Sequence, residues 1–374
     1  MDNHLHIISF DIPFPANYGG IIDVFYKIKA LNKKGIKIHL HCFEYGREHS
    51  EELSKYCFSI NYYKRDKSFL NTLVLNPFIV SSRKSQEMIE NLLKDDYPIL
   101  FEGLHSCYYL DDNRLKNRFK MVRTHNIEHH YYSGLSGSSR NVLEKIYFIG
   151  ASFKLRIFER KLKQANVIFP ISVKDEIHFK LKFKEVHYLP PFHQNDKMEI
   201  QPELGKYVLY HGNLQIKENE QAVLYLIESI FQGSDYPFIV AGSNPSSRII
   251  NAISKSKNIT LKSDINDSRM LDLVSNAQIN LLLSFQATGI KLKLINSLFL
   301  GRHVLVNPII VKGTGLEKLC VIGHSASEFK KLIKKYMELP VEQEEIDFRK
   351  KILETKFNNE SSASLFIKYL PSSL

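Results

Sequence analysis

The chain has 374 residues, 44% of them hydrophobic and 24% charged, which supplies a sizeable core, excludes wholesale disorder and on length points to two domains. No apolar run reaches the roughly 18 residues of a membrane-spanning helix, and the opening MDNHLHIISF lacks the charged-then-apolar pattern of a secretory leader, so a cytoplasmic protein is expected, with the inner face of the membrane as its alternative station. The net charge of +11 lies mostly in residues 1–190, which hold 29 Lys and Arg against 21 Asp and Glu; that bias suits an anionic lipid surface, a phosphorylated substrate, a nucleic acid or a plain solvated face, and by itself selects none of them.

In chain order, Leu5 to Phe10 reads as a buried strand, followed by the loop DIPFPANYGG and a helix on which Ile21, Val24, Phe25, Ile28 and Leu31 recur at helical spacing. Gly35 stops that helix, and Ile36, Ile38, Leu40 and Cys42 alternate as a strand should. Strand-like pieces at Ile99 to Phe101, Phe119 to Arg123, Val167 to Pro170 and Val186 to Leu189 alternate with helical stretches, predicting a parallel sheet covered on both faces. The pattern breaks at LPPF (189–192) and restarts with strands at Tyr207 to Tyr210, Phe238 to Ala241, Asn258 to Leu261, Ile279 to Leu283 and Val304 to Val306, separated by helices that include Gly289 to Leu300. The expected domains are 1–190, 191–345 and a helical tail, 346–374, that packs back toward the first domain. Cys42, Cys57, Cys107 and Cys320 form no CxxC and read as packing residues.

Open α/β sheets bind ligands outside the carboxyl ends of their strands, so the loops there carry the chemistry. Gly19-Gly20 follows the first strand and opens a helix, where small residues let backbone N–H groups approach an anion; a tight turn alone also accounts for them. The segment SFQATGIKLK (284–293) leaves a buried strand and enters a helix, placing Gly289 at the helix start with Lys291 and Lys293 beside it. Residues two apart on a helix do not share a face, so only one lysine is expected to point into the site: Lys293, with Lys291 as the alternative. His125, with Asn126, Glu128, His129 and His130, follows a strand; adjacent histidines and the absence of HExxH spacing speak against a metal there, and no Asp-x-Asp occurs. Glu102 and His105 follow another strand. Residues 140–163 interleave Lys145, Lys154, Arg156, Arg160, Lys161 and Lys163 with apolar side chains, a pattern open both to an anionic membrane surface and to a helix with a basic solvent face.

The segment TGIKLKLINSLFLGRHVLVN (288–307) resembles the donor-binding helix of family-four glycosyltransferases of the GT-B fold. YVLYHGNLQIKENEQAV (207–223) and FIVAGS (238–243) are similar to the opening strands and loops of that family's C-terminal domain, PFPANYGG (13–20) to its acceptor-side glycine loop, and RTHNIEHHYY (123–132) to its HN-x-E segment. The resemblance implies two Rossmann-like doubly wound domains facing across a cleft, the first for an acceptor and the second for a UDP- or GDP-sugar. It implies His125 and Lys293 as catalytic residues. Donor contacts would come from Gly20, Gly212, Asn213, Lys217, Ser243, Thr288, Gly289, Ile290, Lys291 and Asn296, and acceptor contacts from Asn17, Glu102, His105, Asn126 and Glu128. Thr288 and Asn296 stand where members carry paired glutamates, and Asn213 and Asn219 where they carry a pyrophosphate-binding Arg and Lys. Asn296 would accept from a ribose hydroxyl, and Lys217 with Lys293 would replace the missing cations.

On this reading the chain transfers a hexose to a glycan or lipid-linked acceptor in surface polysaccharide synthesis. Retention of configuration, no metal and no cofactor beyond the donor follow from the resemblance, as do peripheral contact with an anionic membrane and no nucleic-acid partner. A non-catalytic nucleotide-sugar-binding relative and a nucleotide-sugar epimerase are the alternatives; a nicotinamide dehydrogenase is disfavoured because no GxGxxG follows either domain's first strand.

Overall fold

A computed structural model describes residues 3–68, 74–139, 141–286 and 289–371. The chain divides into two compact units, Met1–His193 with Asn358–Leu374, and Gln194–Phe357. In the first, β1 (His4–Ser9), β2 (Lys37–Glu44), β3 (Ser59–Lys64), β4 (Ile99–Glu102), β5 (Lys120–Thr124) and β6 (Val167–Pro170) form a parallel sheet in the order β3-β2-β1-β4-β5-β6. In the second, β7 (Val208–His211), β8 (Phe238–Gly242), β9 (Ile259–Ser263), β10 (Ile279–Leu282), β11 (His303–Val306) and β12 (Val321–Ile322) are ordered β12-β11-β10-β7-β8-β9. The two orders are the same doubly wound topology, with switch points between β1 and β4 and between β7 and β10.

The first unit carries α1 (Gly19–Lys33), α2 (Gln86–Leu92), α3 (Glu128–Ser138), α4 (Val142–Phe158) and α5 (Val173–Lys180). The second carries α6 (Lys217–Leu226), α7 (Ser247–Ile253), α8 (Asp267–Asn276), α9 (Leu292–Leu300), α10 (Ala326–Met337) and α11 (Gln343–Lys356), before α12 (Asn359–Ile367) returns to the first. The apolar residues spaced along α1 are all buried, and Gly35, at φ 83°, ends the helix in a left-handed conformation that an L side chain resists. Central strands such as β4 and β7 are buried along their whole length, as a parallel sheet covered on both faces requires.

Several expectations differ in detail. Val186 to Leu189 is a single bridge to Ile168 continued by His187 N donating to Ile168 O (3.0 Å), while the partly buried edge strand β3 carries too weak an alternation to be read from SINYYK. The expected tail from 346 is split: Arg349 is buried and donates to Gly301 O (2.8 Å) and Arg302 O (2.9 Å), which keeps α11 with the second unit. Only Asn358 onward joins the first, where Phe366 packs on Phe169 of β6 with ring centroids 5.3 Å apart.

The face of β1 and β2 that carries His4, His6, His39 and His41 forms a histidine ladder. His6 Nδ1 lies 2.8 Å from His41 Nε2, His6 Nε2 is 2.9 Å from Asp95 Oδ1, and His41 Nδ1 is 2.8 Å from the Tyr63 hydroxyl. Burial, reinforced by the neighbouring histidines, pulls His41 well below the usual imidazole range and His39 down to about 4.

Candidate functional site

At the first switch point the floor is a buried charge network. Asp23 on α1 accepts from Lys27 Nζ (3.0 Å), one helical turn away, and from Arg123 Nε (3.0 Å) and Nη2 (2.8 Å) at the end of β5. Lys27 also donates to Glu102 Oε1 (2.6 Å) at the end of β4, and Arg123 Nη1 donates to Leu189 O (2.6 Å). All four side chains are fully buried, so the pairs must satisfy one another. Burial disfavours ionised carboxyls, yet Arg123 and Lys27 hold Asp23 well below the usual carboxylate range, and Lys27 with His125 holds Glu102 below it.

Above this floor His125 stands with Nε2 3.1 Å from Glu102 Oε2, while its Nδ1 is buried without a hydrogen-bond partner. A carboxylate on Nε2 favours the tautomer protonated there, which leaves Nδ1 as an acceptor for a hydroxyl proton. Two glycines keep the space clear. A Cβ on Gly20 would stand 2.9 Å from Phe10 Cζ and 3.7 Å from His125 Nδ1, and one on Gly103 (φ 68°) 3.2 Å from His105 Nδ1. His105 Nδ1 and Glu128 Oε1 are likewise buried and unpartnered, 3.9 Å apart. Burial pushes the Glu128 carboxyl up to about 8, with a hydrogen bond from Asn126 opposing it, so near neutrality Glu128 is a proton donor.

At the second switch point the loops after β7 and β10 meet α6 and α9. The chain approaches itself so closely that a Cβ on Gly242 would stand 1.7 Å from Gly212 O. Lys293 Nζ donates to Asn219 Oδ1 (3.0 Å) and the Tyr210 hydroxyl (3.2 Å) and lies 4.7 Å from the Tyr210 ring centroid. Burial lowers its ammonium to about 7, Glu218 opposing and Lys291 adding to the effect. Lys291 Nζ is 3.5 Å from Glu218 Oε2. Glu218 in turn accepts from the Ser284 hydroxyl, Phe285 N (3.1 Å) and Gln286 N (3.2 Å), pinning the loop after β10 to the start of α6. Despite burial, Lys291, Ser284 and Lys293 keep the Glu218 carboxyl below its usual range. Among the described residues no carboxylate makes an ion pair with Lys293; its direct partners are neutral, and Glu218 acts on it only at longer range.

The expected residues fall into place unevenly. Gly20, Glu102, His105, His125, Asn126 and Glu128 share the first site; Asn17 is exposed on its rim, accepting from Arg47 Nη1 (3.0 Å). Both lysines reach the second site, against the expectation of one, because α9 starts at Leu292: Lys291 caps the helix in an extended conformation, and the rule about helix faces does not apply to it. Gly289 (φ 59°) therefore precedes the helix instead of opening it, and Ile290 is buried. Thr288 lies outside the described residues.

Asn213 uses its carbonyls to bind Asn219 Nδ2 (2.8 Å) and Gln215 N (3.0 Å), and Ser243 O accepts from Leu214 N (2.9 Å), so both shape the loop after β7. Lys217 is exposed, and the residue that turns inward at that helix start is Glu218. Asn296 Oδ1, expected to accept from a ribose, already accepts from Gln194 Nε2 (3.0 Å) and Asn195 Nδ2 (3.1 Å), which fills its two lone pairs. His129 leaves His125 for Glu159 (3.0 Å), which also meets His178 (3.2 Å) and Lys182 (2.6 Å). The residues missed were Asp23, Lys27, Arg123, Gly103 and Glu218. Asp23 and Lys27, four apart on α1, were the one visible signal.

Two units with this strand order define the GT-B glycosyltransferase fold, and solved structures agree with it. HepE of Anabaena, crystallised with UDP and glucose, superposes with a TM-score of 0.67 at 10% identity over 98% of both chains. A variant of S. aureus TarM bound to fondaparinux, alpha-GlcNAc-glycerol and UDP gives 0.66 at 11% identity over 98% of this chain and 99% of that one. A glycosyltransferase from Rickettsia africae gives 0.66 at 11% over 98% and 97%. In sequence, the chain is 24% identical over 334 residues to an uncharacterized 44.6 kDa protein in the cps region of Klebsiella pneumoniae, covering 83% of this chain and 84% of that one. No family model matches the chain.

Proposed function

We propose that this chain is a glycosyltransferase that transfers a hexose from a nucleoside-diphosphate sugar to an acceptor in surface polysaccharide synthesis. The observation that carries the reading is Lys293: a partly buried amine at the second switch point, at the start of a helix, that makes no ion pair with a carboxylate among the described residues. A departing diphosphate supplies the missing negative charge, and Lys293 with the α9 N-terminus stabilises that charge as it develops. UDP in HepE and TarM, and the cps location of the Klebsiella relative, support a UDP-sugar and a capsule-type product.

In the first unit, His125, oriented by Glu102, accepts the hydrogen of the acceptor hydroxyl, and protonated Glu128 with His105 fixes the sugar in the space kept by Gly20 and Gly103. Membership of family four, retention of configuration and independence of metal complete the proposal. The test is calorimetry with UDP and GDP, followed by transfer from the labelled UDP-sugar in EDTA with the anomeric configuration read by NMR. Micromolar UDP binding and transfer are expected; binding of neither nucleotide would sink the reading.

A further inference from the structure

Helix α4 is apolar on two opposite faces. Its inner face is apolar in the ordinary way: Leu155 and Phe158 are buried, and Phe148 packs on Tyr132 of α3. The opposite face, where a water-facing helix carries polar side chains, presents Val142, Ile146, Ile149 and Phe153 at spacings of one turn, and these are 70%, 62%, 53% and 66% exposed. Lys145 and Arg156 flank this stripe on one side and Lys154 on the other; Lys154 Nζ donates to Val74 O (2.7 Å), beside the exposed Val74 and Leu75.

A cavity of about 560 Å³ at the carboxyl ends of β2 and β3 is lined by Arg47, Lys64, Arg65 and Lys67, with Glu44 as its one carboxylate, and that carboxylate is 2.8 Å from His49. Arg65 of this cavity lies over the Tyr45 ring (4.2 Å), and both are near Tyr147 of α4, whose phenol burial pushes up, with Tyr45 adding to the effect and Arg65 opposing it.

We infer that α4 docks the protein on an anionic bilayer, the stripe sunk among the acyl chains and the cations of α4 and of the β2–β3 cavity on lipid phosphates. An apolar face bordered by basic side chains is the chemistry of an interfacial helix. A second copy of the chain fits less well, because two-fold pairing of this face would set Lys145 and Arg156 against their own like charges. Resting on the transferase reading, the inference also names the acceptor class. α3, which packs on α4 through Tyr132 and Phe148, begins at Glu128 of the first site, so a docked α4 holds that site near headgroup level and the acceptor is lipid-linked.

The test is flotation of the full chain with vesicles of phosphatidylcholine alone or with phosphatidylglycerol, with UDP calorimetry and light scattering run on the same samples. Binding only to the phosphatidylglycerol vesicles, weakening with salt, is expected. Ile146→Glu with Phe153→Glu should lower it by more than about tenfold, and Lys64→Ala or Lys67→Ala by roughly fivefold each, all with UDP affinity unchanged. Equal flotation by both vesicles, no flotation, or variants that float like the parent would overturn the inference. So would a dimer that Phe153→Glu converts to monomer, since the stripe would then cover a second copy. Vesicle binding without UDP binding would leave docking standing and remove the transferase reading; UDP binding without vesicle binding would do the reverse.

Discussion

The two switch points share a topology and differ in how they hold charge. On the floor of the first, Asp23 and Glu102 are answered by Lys27 and Arg123, Arg83 beside it is held by the carbonyls of Phe10 and Ile79, and the unpartnered atoms facing the space above are His125 Nδ1, His105 Nδ1 and Oε1 of a protonated Glu128. In the second, Glu218 answers Lys291 while Lys293 is left with a phenol, an amide and an aromatic face. A site whose ions are spent internally suits a neutral, hydroxyl-rich ligand. One with an uncompensated cation suits an anion.

The largest expected effect breaks the first half of that contrast. Arg123→Met leaves the carboxylates of Asp23 and Glu102 sharing Lys27 in a dry interior and should cost about 3–5 kcal/mol of stability, read as a shift in the denaturant midpoint; a loss near zero would mean the network is not buried as described. Next, Lys293→Ala should weaken UDP binding by roughly 10- to 100-fold, the weight of a hydrogen-bonded charge, with melting temperature almost unchanged. The parent's UDP affinity should also fall as pH rises through about 7, where free Lys293 loses its proton, whereas the alanine variant shows no such step. A pH-independent affinity in the parent would reassign the phosphate contact.

Two smaller effects sharpen the comparison within the first unit. Glu128 has a folded-state pKa raised to about 8, so its contribution to stability is complete below the ordinary carboxylate range and is lost as pH climbs through 8. Glu128→Gln should therefore be more stable than the parent at pH 8 and similar at pH 5, by calorimetric melting. The histidine ladder has the opposite sign. Folded His39 and His41 are depressed, so stability present above about 6.5 declines as pH falls toward 4, and His39→Asn should flatten that decline modestly because His39 is only partly buried.

Periodicity and punctuation made the architecture readable. The helix pattern of α1 ended at Gly35, and buried strands alternated with amphipathic helices through both units. Glycines and histidines after strands marked where to look. Pairwise partnerships stayed hidden, because they depend on which strand ends become neighbours: Arg123 is 100 residues from Asp23, and Glu218 is 66 from Ser284. The start of α9 was misplaced for a local reason. Gly289 looks like a helix opening, but burying Ile290 requires an extended step before the helical turns begin. The partners of Asn296, Gln194 and Asn195, stayed hidden because they lie in a polar stretch without pattern.

The return of α12 to the first unit has a consequence for synthesis. The first sheet is made before the second unit and completed after it, because Phe366, buried against Phe169, follows the second unit in sequence. Throughout translation of the second unit, the first carries an uncovered apolar face, so the growing polypeptide is exposed to sticking and to chaperones for as long as that unit takes to make. A nonsense mutation just before Asn358 would spare every residue of both candidate sites and still leave the earlier-made half unfinished.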